Sequence, residues 1–421
     1  MSGETKITNE LKNVLSMPYF WPRFLFLSLV LTFDDLLLVF TGTSLFPFFI
    51  PPVIITGIGF FVFEILTIIK IKPVFHAAKF PFFLWVGFGV LCVFCESLHG
   101  WPMQSLIIWV TLPLFTLMGQ EENFFNLLLL SCGLAILSNI LCGLICYPLI
   151  SNTYSLVLCA LVPIVLCALA WVLLNTRKFY ISLFVILMTL IGIMLYLSGV
   201  SGGRTGFLTI LITIIFFIVA VAIKFRSIAK GILYKNNSIN FAIILGVILI
   251  IALTISATIL LDSLGHVPDV PESIENKGIW DKFITALNNG NLLSNRGMIW
   301  KYTFRNIHLF GNGPDFYIAS PELSAEQVSA HNTYLAVLGH FGPIAFVLFM
   351  VFCIYMLILS VKYCLASRRL YIFPFVVFIA YYVAGITEDL IFIISPRVFS
   401  LLFYAACAFL IIYEGRRKLS R

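Results

Sequence analysis

Apolar residues run along this chain in blocks of about twenty separated by short polar turns, the pattern of helices that cross a lipid bilayer. The blocks fall at 22–42, 46–69, 79–99, 102–119, 124–147, 151–174, 179–199, 206–224, 239–261, 334–361, 370–387 and 391–413. No ten-residue alternation of an outer-membrane barrel is present, and lipid offers a backbone no hydrogen bonds, so helices are expected. The predicted fold is an all-α polytopic membrane protein with about twelve spans. One polar stretch interrupts the pattern, from Asp262 to His331 between the ninth and tenth spans. Within it Ile279, Trp280, Phe283, Ile284 and Leu287 recur at helical spacing, and Ser294 or Asn295 can cap a second helix through Trp300, Phe304 and Ile307. A large, partly helical loop at the membrane surface is therefore expected.

Composition agrees: 61% of residues are hydrophobic and only 11% charged, where soluble domains average about 25% charged. The net charge of +7 would suit nucleic acid, but its placement does not, and no nucleic-acid partner is expected. Lys70, Lys72 and Lys79, then Arg177 and Lys178, then Lys224, Arg226, Lys230 and Lys235, then Lys362, Arg368 and Arg369 occupy alternate loops, in phase with the basic C-terminus. Positive charge marks cytoplasmic loops. Both termini are then cytoplasmic, with divisions at 1–21, 22–261, 262–333, 334–413 and 414–421, and the large loop is extracytoplasmic. The acidic turn Gln120-Glu121-Glu122 dissents, but acids weigh little in this rule.

Residues 1–19 carry Glu4, Lys6, Glu10 and Lys12 and lack the apolar core of a cleaved signal, so none is expected. The ten cysteines lie almost wholly in apolar runs and read as packing residues, Cys92 and Cys95 included. No internal inverted repeat is apparent, which counts against a transporter.

Three polar features share the expected outer face: the turn Ser201-Gly202-Gly203-Arg204-Thr205-Gly206, the large loop, and the turn Thr387-Glu388-Asp389. Arg204 offers a planar fork for phosphate oxygens beside glycines that permit close approach; the competing reading is an anchor to membrane lipid headgroups. Arg296 lies four residues before Trp300 on one helical face, and either covers that ring or supplies a second cation. His331 stands where the tenth span begins; a neutral imidazole at a helix N-terminus suits a general base. His266, His308 and His340 are read as structural. Asp34, Asp35, Glu64 and Glu96 lie in or beside spans, as proton carriers or as interior hydrogen-bond partners. Glu388 and Asp389, followed by Arg397, are placed to orient His331 or pair with an Arg.

At these residues the chain resembles the O-antigen ligase and O-antigen polymerase superfamily of bacterial membrane glycosyltransferases. The resemblance covers about 201–397 and rests on Arg204, on Asn295-Arg296-x-x-x-Trp300 with Gly311-x-Gly313, and on His331-Asn332 followed by Gly342. Ala345 departs from the Gly, Thr or Tyr of the ligase pattern. The resemblance implies a bacterial cytoplasmic (inner) membrane enzyme whose donor is a glycan on undecaprenyl pyrophosphate and whose acceptor is a second glycan or a lipid. It implies that Arg204 and Arg296 hold the pyrophosphate and His331 deprotonates the acceptor hydroxyl. Asn332, Trp300, Asp389 and Arg397 would support them. No metal or other cofactor is expected, because the diphosphate is already a good leaving group. A polymerase of surface polysaccharide (O-antigen or capsule) is the leading expectation, a ligase to a lipid or wall anchor the runner-up, and a lipid-linked oligosaccharide flippase the non-enzymatic alternative.

Overall fold

A computed structural model describes residues 12–39, 46–100, 102–145, 154–174, 181–201, 203–232, 296–317, 329–366, 372–391 and 397–419. Its helices are α1 (Phe20–Val39), α2 (Phe46–Ile71), α3 (Lys79–His99), α4 (Met103–Met118), α5 (Phe124–Ile145), α6 (Tyr154–Leu174), α7 (Ile181–Val200) and α8 (Arg204–Ile232). They continue with α9 (Arg296–Arg305), α10 (Thr333–Ala366), α11 (Ile372–Ala384) and α12 (Arg397–Leu419). No strand occurs among the described residues, and eight helices there are long and apolar enough to cross a membrane. This is an all-α, multi-pass membrane architecture. The expected ninth span, 239–261, and the loop helix over Ile279–Asn288 lie outside the described residues, as do the caps Ser294 and Asn295.

The bundle is built around α6 and α12. In each, 83% of the spanning window is buried, against 22% in α2, which faces outward with Ile54, Ile58, Phe61, Ile65 and Ile69 exposed. Helix α6 packs on α5, α7, α8, α11 and α12, so its side chains meet protein on nearly every side. Polar side chains in the spans close hydrogen bonds on their own helix: Ser28 to Phe24 O, Thr67 to Phe63 O, Thr116 to Leu112 O, Thr213 to Thr209 O. Seven of the nine described cysteines are buried, and all nine are free thiols.

Helix α10 is two helices joined at a break. Gly342 adopts φ +81°, and Pro343 after it has no N–H to give. Before the break, residues 335–341 are buried throughout. After it, Ile344, Val347, Val351, Ile354, Ile358, Val361 and Leu365 form one exposed apolar stripe at helical spacing, the face a span offers to lipid. The sequence pattern drew 334–361 as one uninterrupted span; the Gly-Pro pair divides it.

The carbonyls freed at the break are satisfied by the segment that follows α9. Gly339 O accepts from the Asn312 N–H and from Asn312 Nδ2, each at 3.0 Å, and His340 O accepts from the Gly313 N–H at 3.2 Å. The Cys95 thiol on α3 points at Phe341 O, 3.3 Å away. Backbone meets backbone here: a Cβ on Gly311 (φ +72°) would lie 2.0 Å from His340 O, and one on Gly342 would lie 2.4 Å from Leu309 O. Only glycine fits both the dihedral and the space. The Gly311-x-Gly313 pair thus serves as a latch for the break.

At the other end of the bundle Arg23 is fully buried. It binds Glu64 through two hydrogen bonds of 2.8 and 2.9 Å, and its Nη2 lies 2.7 Å from Glu121. Gln120 bonds the backbone of His76, and Arg416 donates to Gln120 O. The acidic turn at 120–122 therefore serves α1, the segment between α2 and α3, and α12 as a set of partners. Glu96 accepts from the Ser105 N–H at 2.8 Å, capping the first turn of α4. Glu64 and Glu96 are thus interior hydrogen-bond partners, while the side chains of Asp34 and Asp35 lie outside what is described.

Candidate active site

Helices α8, α9 and α10 begin, and α11 ends, at one end of the bundle. Each sequence feature expected on the outer face contributes there. The α10 start is set by Asn332, whose Oδ1 accepts from the Leu335 N–H at 2.9 Å while its own carbonyl takes the Ala336 N–H, an N-cap. Its Nδ2 reaches Ile386 O at 2.8 Å. Thr333 bonds the same turn three times: its N–H to Gly385 O, its hydroxyl to Glu388 O, and its hydroxyl oxygen from the Leu390 N–H. Asn332 and Thr333 thus clamp the turn at 385–390 against the α10 N-terminus.

That clamp puts Glu388 at the centre. Its Oε1 accepts from Arg296 Nη2 at 3.0 Å and from the Thr205 hydroxyl at 3.2 Å, and its Oε2 lies 3.8 Å from His331 Nδ1. Arg296 Nη1 also donates to Thr387 O, and Thr387 bonds Thr205. One carboxylate therefore ties together the starts of α8 and α9, the residue before the α10 cap, and the turn after α11. Arg296 uses two of the five donors of a guanidinium in this contact, leaving the others for a ligand.

Arg204 opens α8 next to Thr205, whose hydroxyl bonds Glu388. Trp300, one helical turn along from Arg296, donates from Nε1 to Ala330 O at 3.2 Å. It holds the chain just ahead of His331. His331 itself has φ +46° and a side chain 36% exposed. A left-handed histidine is uncommon, and such strain collects at working sites.

No family model, curated protein or solved structure matches this chain.

The structure brings His331, Arg296, Arg204, Asn332 and Trp300 together. Asp389 is different from the expectation. Its neighbour Glu388 makes the contacts with Arg296 and His331, while Asp389 Oδ1 is shut from solvent without a hydrogen-bond partner among the described residues. Burial pushes its carboxyl up to about 8, helped by the charge of Glu388 and opposed by the Ile391 N–H. The side chain of Arg397 lies outside what is described. Of the two acids expected to orient His331 or pair with an Arg, Glu388 makes both contacts; Thr205 and Thr387 are the residues whose roles the sequence did not assign, each in a turn marked there. Among the other histidines, His340 is buried with Nδ1 2.6 Å from Gly313 O, a structural position, and His308 is exposed.

Proposed function

We propose that this protein is a membrane glycosyltransferase that moves a glycan from undecaprenyl pyrophosphate to a sugar hydroxyl at the outer face of a bacterial cytoplasmic membrane, building a surface polysaccharide as a polymerase. The observation that carries the reading is Glu388 held between Arg296 and His331, with Arg204 next in the chain to Thr205, which also bonds Glu388. In this scheme the acceptor oxygen attacks the anomeric carbon as the bond from that carbon to the phosphate oxygen breaks. The electron pair leaves with the pyrophosphate, whose growing charge the fixed guanidinium groups stabilise. The hydroxyl proton passes to His331 Nε2, and Glu388, facing Nδ1, stabilises the imidazolium so formed. Twelve spans with both termini cytoplasmic would place this end outside.

Reconstitution with undecaprenyl-pyrophosphate oligosaccharide as sole substrate tests it. A ladder of lengthening lipid-linked glycans is the expected product. Transfer only after an anchor lipid is added would make the enzyme a ligase, and no transfer by folded protein would sink the reading.

A further inference from the structure

Beyond Arg296 on α9, and past the end of that helix, an open cleft of about 360 Å³ is lined by Tyr302, Asn306, His308, Asn312, Asp315 and Phe316. Its volume is within the range of small-molecule sites, about 300–1,000 Å³. Tyr302 and Phe316 stack with centroids 5.0 Å apart and planes 28° from parallel, forming an aromatic wall. The two amides are fixed in orientation. Asn306 Nδ2 donates to Tyr302 O at 3.0 Å, and Asn312 Nδ2 donates to Asn306 O at 2.9 Å and to Gly339 O at 3.0 Å. Asn312 has so committed both of its N–H donors and keeps its oxygen for a ligand, whereas Asn306 keeps its oxygen and one N–H, alongside the exposed carboxylate of Asp315.

A carboxylate and two amide oxygens, with a few donors among them and aromatic carbon beside them, suit a ligand whose groups both donate and accept, as hydroxyls do. A phosphate would meet the carboxylate and be repelled. A hard cation is best held by several charged oxygens, and the lining of this cleft has one carboxylate. A sugar ring satisfies every wall, its hydroxyls on Asn306, Asn312, Asp315 and His308 and its C–H face on the Tyr302–Phe316 pair. Tyr302 is six residues from Arg296 along one helix, about 9 Å of axial rise. A short oligosaccharide with its reacting sugar at His331 spans that separation.

We propose that this cleft is a saccharide subsite that grips sugars of the glycan beyond the one that reacts. The proposal rests on the glycosyltransferase reading for its purpose, and on the cleft alone for its ligand. The same rigid latch that closes the α10 break carries Asn312, so the subsite and the catalytic end sit on one frame.

The test uses the full-length purified protein and the oligosaccharide released by mild acid from the lipid-linked glycan of cells lacking this protein. Binding is read by saturation-transfer NMR and calorimetry, and turnover by product ladders. The expected result is binding by wild type, weakened about tenfold or more by Asp315→Asn, the loss typical of a charge-assisted hydrogen bond. His308→Ala should weaken it less, and the KM for the lipid-linked glycan should rise with the loss of affinity. His331→Ala should bind the free oligosaccharide as wild type does while forming no product. No binding by wild type, or equal binding by Asp315→Asn and His308→Ala, overturns the subsite. Binding that Asp315→Asn weakens, from a wild type that forms no product, upholds the subsite and overturns the transferase reading instead.

Discussion

Glu388 is the residue on which the candidate site turns, since removing its charge takes a partner from both Arg296 and His331. Glu388→Gln should cut the transfer rate about 10–100-fold, the worth of a charge-assisted hydrogen bond, in initial-rate assays on reconstituted protein. His331→Ala should cost at least about 100-fold, the usual contribution of a general base, with membrane insertion unchanged. Activity equal to wild type would remove that role. Arg296→Lys should stay inactive, because a lysine ammonium cannot hold the Glu388 carboxylate and the Thr387 carbonyl in one planar fork. Asp389 gives a stability prediction. Its folded value near 8 lies above the unfolded value of about 3.9, so the folded state keeps a proton that the unfolded chain gives up between those limits. The resulting stability is complete below about pH 4 and is lost as pH rises through 8. Asp389→Asn, which stays neutral, should therefore melt with wild type near pH 4 and above it at pH 9. The two arginines and the histidine were legible in the sequence because charged groups are scarce in so apolar a chain. The choice between Glu388 and Asp389 was not, because which of two adjacent acids faces a site depends on how a turn closes, and neither periodicity nor charge encodes that.

At the scale of single elements, α10 shows what a hydropathy pattern misses. Residues 334–361 are apolar throughout, so an averaging window draws one helix; the break at Gly342-Pro343 and the loop that seals it are local backbone events. Helix α9 was legible from its aromatic spacing, although it stops at Arg305 rather than running on through Ile307. The latch makes its own prediction. Gly342→Ala would place a methyl 2.4 Å from Leu309 O at a dihedral that disfavours any side chain. It should cost on the order of 1–3 kcal/mol, seen as a lowered melting temperature in detergent, and should also loosen Asn312. An unchanged melting temperature would mean that the loop and helix do not bear on each other as described.

Across the whole molecule, two polar centres sit at opposite ends of an apolar bundle. One is the Arg296–Glu388–His331 group, and the other is the buried Arg23 with Glu64 and Glu121. Arg23→Ala leaves Glu64 buried without its partner and should destabilise the protein by about 3–5 kcal/mol, measured by denaturation in detergent. The repeated apolar blocks made a membrane bundle legible at once, whereas the packing order of the helices was not, because hydropathy alone does not rank spans by how deep they lie. The sealed break in α10 has a last consequence, for permeation. Unwound turns in transporters present bare carbonyl oxygens on which a sodium ion or proton carrier can rest on its way across. Here the oxygens of Gly339 and His340 are taken by N–H groups of the loop and that of Phe341 by a thiol, so this kink holds no stepping stone for an ion. Vesicles carrying the protein should hold a sodium gradient and a proton gradient as tightly as empty ones.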